Sequence, residues 1–191
     1  MIPEIEKRRA RRALSDKPVP AEVLERIMGA AVLAPSCFNN QPWRFVVVER
    51  EPYLTAVKAA LSENNYWAKQ APVIIVVCTK ADLDCAPADG REYASFDTGL
   101  AAQNCILQAV KEGLVAHPIA GFSPDNVRSA LGIPPDFTVI TLIIMGYPGN
   151  PSLLNEKHRK AENSERIRLP RHQVVMYDSW STSGPDTGPV V

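Results

Sequence analysis

The feature that most constrains this chain is Val73-Ile-Ile-Val-Val-Cys78, six residues with no polar break, five of them branched at Cβ. Branching at Cβ stiffens χ1 and suits extended backbone. A strand sends alternate side chains to opposite faces, so a run apolar at every position needs cover on both. The run therefore predicts a central strand in a sheet with helices on each side. Val139 to Met145 is a second strongly apolar strand, and Trp43 to Val48 a third. Val115 to Phe122 reads as a short strand running into a turn.

Helical stretches alternate with these strands. Residues 3–13 read as a helix with Pro3 in its first turn. From Ala21 to Leu33 the apolar residues Val23, Leu24, Ile27, Ala30, Ala31 and Leu33 recur on one helical face, and Pro35 stops it. Residues 52–62 form another helix. Asp97 and Thr98 offer an N-cap for a long helix to about Lys111, closed by Gly113. Ser123-Pro124-Asp125 opens a short helix to Leu131. Residues 149–172 are polar and basic with little periodicity. One domain over residues 1–180 and a flexible tail over 181–191 are expected, in the α/β or α+β class.

Several functions are excluded at this level. No Gly-rich GxGxxG or GxxxxGK[ST] loop follows a strand, so any phosphate is held in another way. Lys and Arg number 21 against 21 Asp and Glu, which argues against a general polyanion binder such as a nucleic-acid protein, though not against a local anion pocket. No apolar run reaches membrane-span length, and Met1 to Glu6 lacks a signal-peptide pattern, so a cytoplasmic protein is the default expectation. Cys37, Cys78, Cys85 and Cys105 show no CxxC spacing and are read as ordinary free thiols; with three His and no HExxH, no metal site is expected.

Three constellations can carry chemistry. Lys7-Arg8-Arg9-Ala10-Arg11-Arg12 places five cations in six positions. It is a solvated basic helix, a guanidinium clamp on a phosphate, or a nucleic-acid arm, the last being weakest. Ala34-Pro-Ser-Cys-Phe-Asn-Asn-Gln-Pro-Trp43 sets amides and a hydroxyl between two prolines. Such groups read the edge of a heterocycle or satisfy the loop's own backbone. His117-Pro-Ile-Ala-Gly-Phe122 lets backbone approach a flat ligand. Its lone His is more naturally structural than catalytic, since no acid or nucleophile accompanies it.

Taken together these segments resemble the nitroreductase family of FMN-dependent oxidoreductases. Arg8 to Leu14 resembles its opening RRSxRxF, and Ala34 to Trp43 matches APSxxNxQPW at every fixed position. Asp97 to Ala109 resembles its long central helix, and Pro118 to Phe122 its PIEGF turn. Leu131-Gly-Ile-Pro134 and Met145-Gly-Tyr-Pro148 match LGIP and LGYP, and Arg168-Leu-Pro170 stands twelve residues before Trp180 as in its late motif.

The resemblance implies an α+β fold with a central, mostly antiparallel sheet flanked by helices, in an intertwined homodimer with FMN at the subunit interface. It implies that Arg8, Arg9, Ala10 and Arg12 serve the FMN phosphate and ribityl chain, with Arg168 or, as a rival, Arg159 adding a cation. Pro35, Ser36, Cys37, Asn39 and Gln41 would meet the flavin ring from the partner subunit, with Asn64 or Asn65 on its pyrimidine side. Pro118, Ile119, Ala120 and Gly121 would pass it with their backbone, Ala120 and Gly121 near N5. NAD(P)H would be the reductant and a small aromatic acceptor the oxidant, in ping-pong hydride transfer. The flavin does the chemistry, so no catalytic side chain and no metal are expected. Other flavin reactions on the same fold (dehalogenation, enoate reduction, flavin breakdown) and a non-catalytic flavin-binding module are the alternatives. Two family positions differ: Ala10 replaces a phosphate-side Ser, and Ala120 replaces the PIEGF acid.

Overall fold

The computed structural model describes residues 1–180; the tail expected at 181–191 lies outside them. Four strands form one sheet: β1 (Arg44–Val48), β2 (Val73–Thr79), β3 (Val115–Ile119) and β4 (Thr138–Gly146). Their order is β1-β2-β4-β3, and each neighbouring pair is antiparallel.

All seven residues of β2 are buried, as its β-branched run requires. Ile74, Val76 and Cys78 face one core with Leu54, Val57, Trp67, Val127 and Ile144. Val73, Ile75 and Val77 face another with Val23, Leu24, Ile27, Cys105, Ile106 and Ala109. Helices α2 (Ala21–Val32) and α4 (Ala94–Lys111) cover that second face. On the first lie α3 (Tyr53–Ala59), the 3₁₀ stretch Glu63–Gln70 and α5 (Pro124–Leu131). Ser123 caps α5, its hydroxyl accepting from the Asn126 N–H, and Gly132 ends it at φ 65°.

Three expectations need correcting. The first helix, α1 (Pro3–Lys7), stops before the arginines; Arg8 begins an extended path. The Arg166 guanidinium takes the carbonyls of Glu6 and Arg8, at 2.7 and 2.5 Å, and Leu14 bridges Pro148. Tertiary hydrogen bonds thus outcompete helical ones, and the arginines do not share a helix face. Helix α4 starts a turn before Asp97, so Asp97 does not cap it; it is buried, and its carboxylate accepts the Cys37 N–H at 2.7 Å. Finally, the stretch after Gly149 contains a helix, α6 (Glu156–Asn163), capped by Asn155. The last described helix is α7 (Arg171–Val174).

Candidate functional site

The two ends of the chain meet beside β3. Arg9 donates to the Ser164 carbonyl and Arg11 to the Glu162 carbonyl. The Arg12 N–H donates to the buried Glu162 carboxylate at 2.8 Å. Burial, with the nearby charges of Arg166, Arg168 and Arg9, pushes the Arg8 guanidinium below its ordinary pKa. Among the described residues none of Arg8, Arg9, Arg166 or Arg168 forms a salt bridge. Clustered cations that form no salt bridge repel one another and favour a bound anion.

Arg12 behaves differently. Its guanidinium lies over the Trp67 ring, 5.9 Å from the centroid, and Trp67 stacks on His117 at 4.8 Å. His117 Nδ1 lies 2.9 Å from the Arg11 carbonyl oxygen. That oxygen only accepts, so Nδ1 carries the proton. Burial holds the His117 pKa down at about 4, against that hydrogen bond and with help from the charges of Arg12, Arg8 and His158. A neutral, buried, stacked ring is structural, as the lone His suggested.

From His117 the chain runs into Pro118, Ile119, Ala120 and Gly121. The Gly121 carbonyl accepts from the Ser62 N–H at 3.0 Å and from Asn65 Nδ2 at 2.8 Å. Thr141 Oγ1 donates to the Ile119 carbonyl at 2.9 Å. Among the described residues no hydrogen bond uses the N–H of Ala120 or Gly121. The turn thus fixes its carbonyls and leaves two donors free. A Cβ on Gly121 would sit 2.6 Å from Asn65 Nδ2 and 2.7 Å from Ser62 Oγ, so a side chain there would push these two side chains off the turn. Asn65, rather than its exposed neighbour Asn64, touches the turn.

The amide loop is braced by its own hydrogen bonds. Phe38, Asn39 and Gln41 take φ of 48°, 60° and 53°, a left-handed conformation costly for side-chain-bearing residues. The Gln41 N–H donates to Ser36 Oγ at 2.9 Å, and Gln41 Nε2 to the Asn39 carbonyl at 3.1 Å. Ala34 and Trp43, at its ends, pack on Ala101 of α4. Phe38 is 90% and Leu33 81% exposed, an apolar face rimming the loop. Pro35, Ser36 and Cys37 line a cavity of about 480 Å³ with Cys85, Arg91, Tyr93 and Phe96.

The cysteines divide into two pairs. Cys78 and Cys105 are free and buried, as expected, with thiol pKa values pushed up by burial to about 11 and about 12. Cys37 and Cys85 are joined in a disulfide, Cα atoms 6.1 Å apart, which corrects the free-thiol reading. The sulfurs meet because the amide loop and the segment after β2 both fold over the start of α4; a separation of 48 residues carries no such signal. Arg166 was also missed: nothing in a polar, aperiodic stretch marks which cation reaches back to the N-terminus.

Comparison with known proteins agrees with this geometry. The family model described as "Nitroreductase family" matches residues 5–147. An NADH dehydrogenase of Thermus thermophilus is 31% identical, the match covering 90% of this chain and 92% of that one. The crystal structure of an oxidoreductase containing FMN superposes with TM-score 0.82 at 30% identity, over 95% of this chain and 93% of the other. A nitroreductase family protein of Clostridium difficile 630 superposes with TM-score 0.77 at 26% identity, over 94% and 99%. The fold and site define an α+β protein with a cluster of arginines beside an open backbone turn. The chain belongs to the nitroreductase family.

Proposed function

We propose that the protein is an FMN-dependent oxidoreductase that uses NAD(P)H to reduce small aromatic acceptors such as nitroaromatics and quinones. The observation that carries this reading is the cluster of Arg8, Arg9, Arg166 and Arg168, none in a salt bridge among the described residues, near β3, the strand whose end presents the free Ala120 and Gly121 N–H groups. A phosphate and a flat, acceptor-edged ring on one ligand need that pair of features. The similarity to an oxidoreductase containing FMN and to an NADH dehydrogenase supports the cofactor and the reductant.

Bound FMN supplies the two-electron chemistry. The chain's own residues do the rest. Arg8, Arg9 and Arg168, with Arg166 added, hold the phosphate, and the exposed Ala10 backbone lies alongside. The Ala120 and Gly121 N–H groups meet the ring near N5 and favour negative charge there, while Pro118 and Ile119 fix the turn. Asn65, with Asn64 beside it, braces the turn from the pyrimidine side. Donor and acceptor occupy one cleft in turn, NAD(P)H first, which is the ping-pong order.

The protein works as a homodimer in this reading, with Pro35, Ser36, Cys37, Asn39 and Gln41 of one subunit closing the other's site. Exposed Leu33 and Phe38, and exposed Ile167, Leu169, Val174, Tyr177 and Trp180 in the C-terminal segment, are the apolar surface such a partner would cover. No helix among the described residues is long and apolar enough to cross a membrane. A cytoplasmic location goes with a nicotinamide reductant.

The purified protein should be yellow, and anaerobic NADH or NADPH should bleach it until a quinone or nitroaromatic restores the colour. A colourless protein that takes up no FMN contradicts the proposal. FMN binding without bleaching points instead to a flavin-binding module.

A further inference from the structure

The Cys37–Cys85 disulfide joins two segments that little else connects. Cys37 belongs to the amide loop, and Cys85 to residues 80–93 between β2 and α4. That segment has one 3₁₀ turn, Ala81–Leu83, and no strand. Ala86, Ala88, Asp89, Gly90, Arg91 and Glu92 are exposed. Lys80 is anchored to Asp136 at 2.8 Å, but among the described residues Arg91 pairs only with its near neighbour Asp89. Such a stretch, poor in buried contacts, opens easily unless something ties it.

The tie is local and clustered. Asn40 Nδ2 donates to Asp84 Oδ1 at 3.3 Å, and the Cys85 N–H to the same oxygen at 2.8 Å. Asp84 Oδ2 is buried without a donor. Burial and the nearby Asp84 carboxylate raise the Asp97 pKa, against the bond from the Cys37 N–H. Ligand atoms of Cys37, Asp84 and Cys85 all lie within 4.8 Å of one another. Both cysteines are only partly buried and line the 480 Å³ cavity, which is the route by which a small thiol reaches the bond.

We propose that Cys37–Cys85 is a reversible redox clasp, which when oxidised holds residues 80–93 against the amide loop as one wall of the cavity, and when reduced by a dithiol releases that wall. Release widens the cavity toward bulkier acceptors, a consequence that rests on the flavoenzyme reading; the clasp itself does not. Reduction consumes two electrons and two protons. A thiolate of the dithiol attacks one cysteine sulfur, the Sγ–Sγ bond breaks, and the other cysteine leaves as a thiolate that takes up a proton. The second thiol of the reductant then attacks the mixed disulfide, frees the remaining cysteine for protonation, and leaves as a cyclic disulfide. Asp84 and Asp97 disfavour thiolates beside them, so exchange here is slow compared with a catalytic dithiol. That suits a setting that persists over many turnovers.

The test uses the full chain loaded with FMN. Air-oxidised protein is treated with iodoacetamide before and after dithiothreitol and mapped by mass spectrometry. Cys37 and Cys85 should be linked before reduction and alkylated after it, while Cys78 and Cys105 stay unmodified until the protein unfolds. Hydrogen exchange should then be about tenfold or more faster over residues 80–93 in the reduced protein and in Cys85→Ser, with β2 and α4 unchanged. Free Cys37 and Cys85 in the oxidised, folded protein overturn the proposal. So does a linked pair whose reduction leaves exchange over 80–93 unaltered. Both readouts are independent of turnover, so a failure to bleach with NAD(P)H refutes the flavoenzyme reading and leaves the clasp standing.

Discussion

His117 holds the Arg11 carbonyl through its Nδ1, 2.9 Å away, and this one contact joins the arginine segment to the strand that ends in the Ala120–Gly121 turn. Strand β3 is itself paired to β4 through His117 and Ile144. The arginine cluster and the backbone donors are therefore placed by one piece of sheet, and distortion of either reaches the other.

The contact has a pH signature. The folded His117 pKa is about 4, below the ordinary 6.5, so the folded state prefers the neutral ring. Between those values the unfolded chain binds a proton that the folded chain does not, so stability rises with pH across the window. It is fully present above about pH 6.5 and lost as pH falls toward 4. Urea unfolding should show a loss of ~2 kcal/mol at pH 5 relative to pH 7.5 from this group. His117→Asn should flatten that slope.

Gly149 should tolerate no side chain. Its Cβ would lie 2.2 Å from the Leu14 carbonyl carbon and oxygen and 2.6 Å from the Ser15 nitrogen, all backbone. The bond from the Gly149 N–H to the Ala13 carbonyl, 2.9 Å, holds the two segments at that distance. Gly149→Ala should cost about 3 kcal/mol or more, by urea unfolding, or leave no soluble protein.

Asn65→Ala should remove the brace on the Gly121 carbonyl. The expected loss is about 1 kcal/mol of stability. FMN affinity should also fall, because the two free N–H groups follow that carbonyl. Asn64→Ala, at an exposed position, should change stability little. Equal effects at the two asparagines, in thermal melts with and without FMN, would contradict this placement.

Much of this fold is legible in the sequence, and the limits have physical causes. Val73 to Cys78 and Val139 to Met145 declare a two-sided sheet because burial selects their residue types directly. Ser123-Pro124 declares a helix start because capping is local. Residues 8–13 read as helix because nothing local shows that Arg166 and Pro148 hold this segment extended from over 130 residues away. Cys37 with Cys85, and Asp97 beneath the amide loop, are missed for the same reason: each partner pairs only through tertiary approach. The site motifs were readable as a set because their resemblance to one family spans the chain, whereas any single one left alternatives open.

Arg166 is the residue that most sharply separates a phosphate site from a generally basic surface. It anchors the Glu6 and Arg8 carbonyls and adds a cation beside Arg8. Arg166→Ala should weaken FMN binding by about 10- to 100-fold, the scale of lost charge-assisted hydrogen bonds. Riboflavin, which has no phosphate, should be bound equally by both proteins.

The most direct measurement is a fluorescence titration of the apoprotein with FMN and, separately, with riboflavin. If the chain ends build a phosphate site beside the β3 turn, FMN binds far more tightly than riboflavin, and Arg8→Ala with Arg166→Ala erases most of the difference. Equal affinity for the two flavins in the wild-type protein would contradict it.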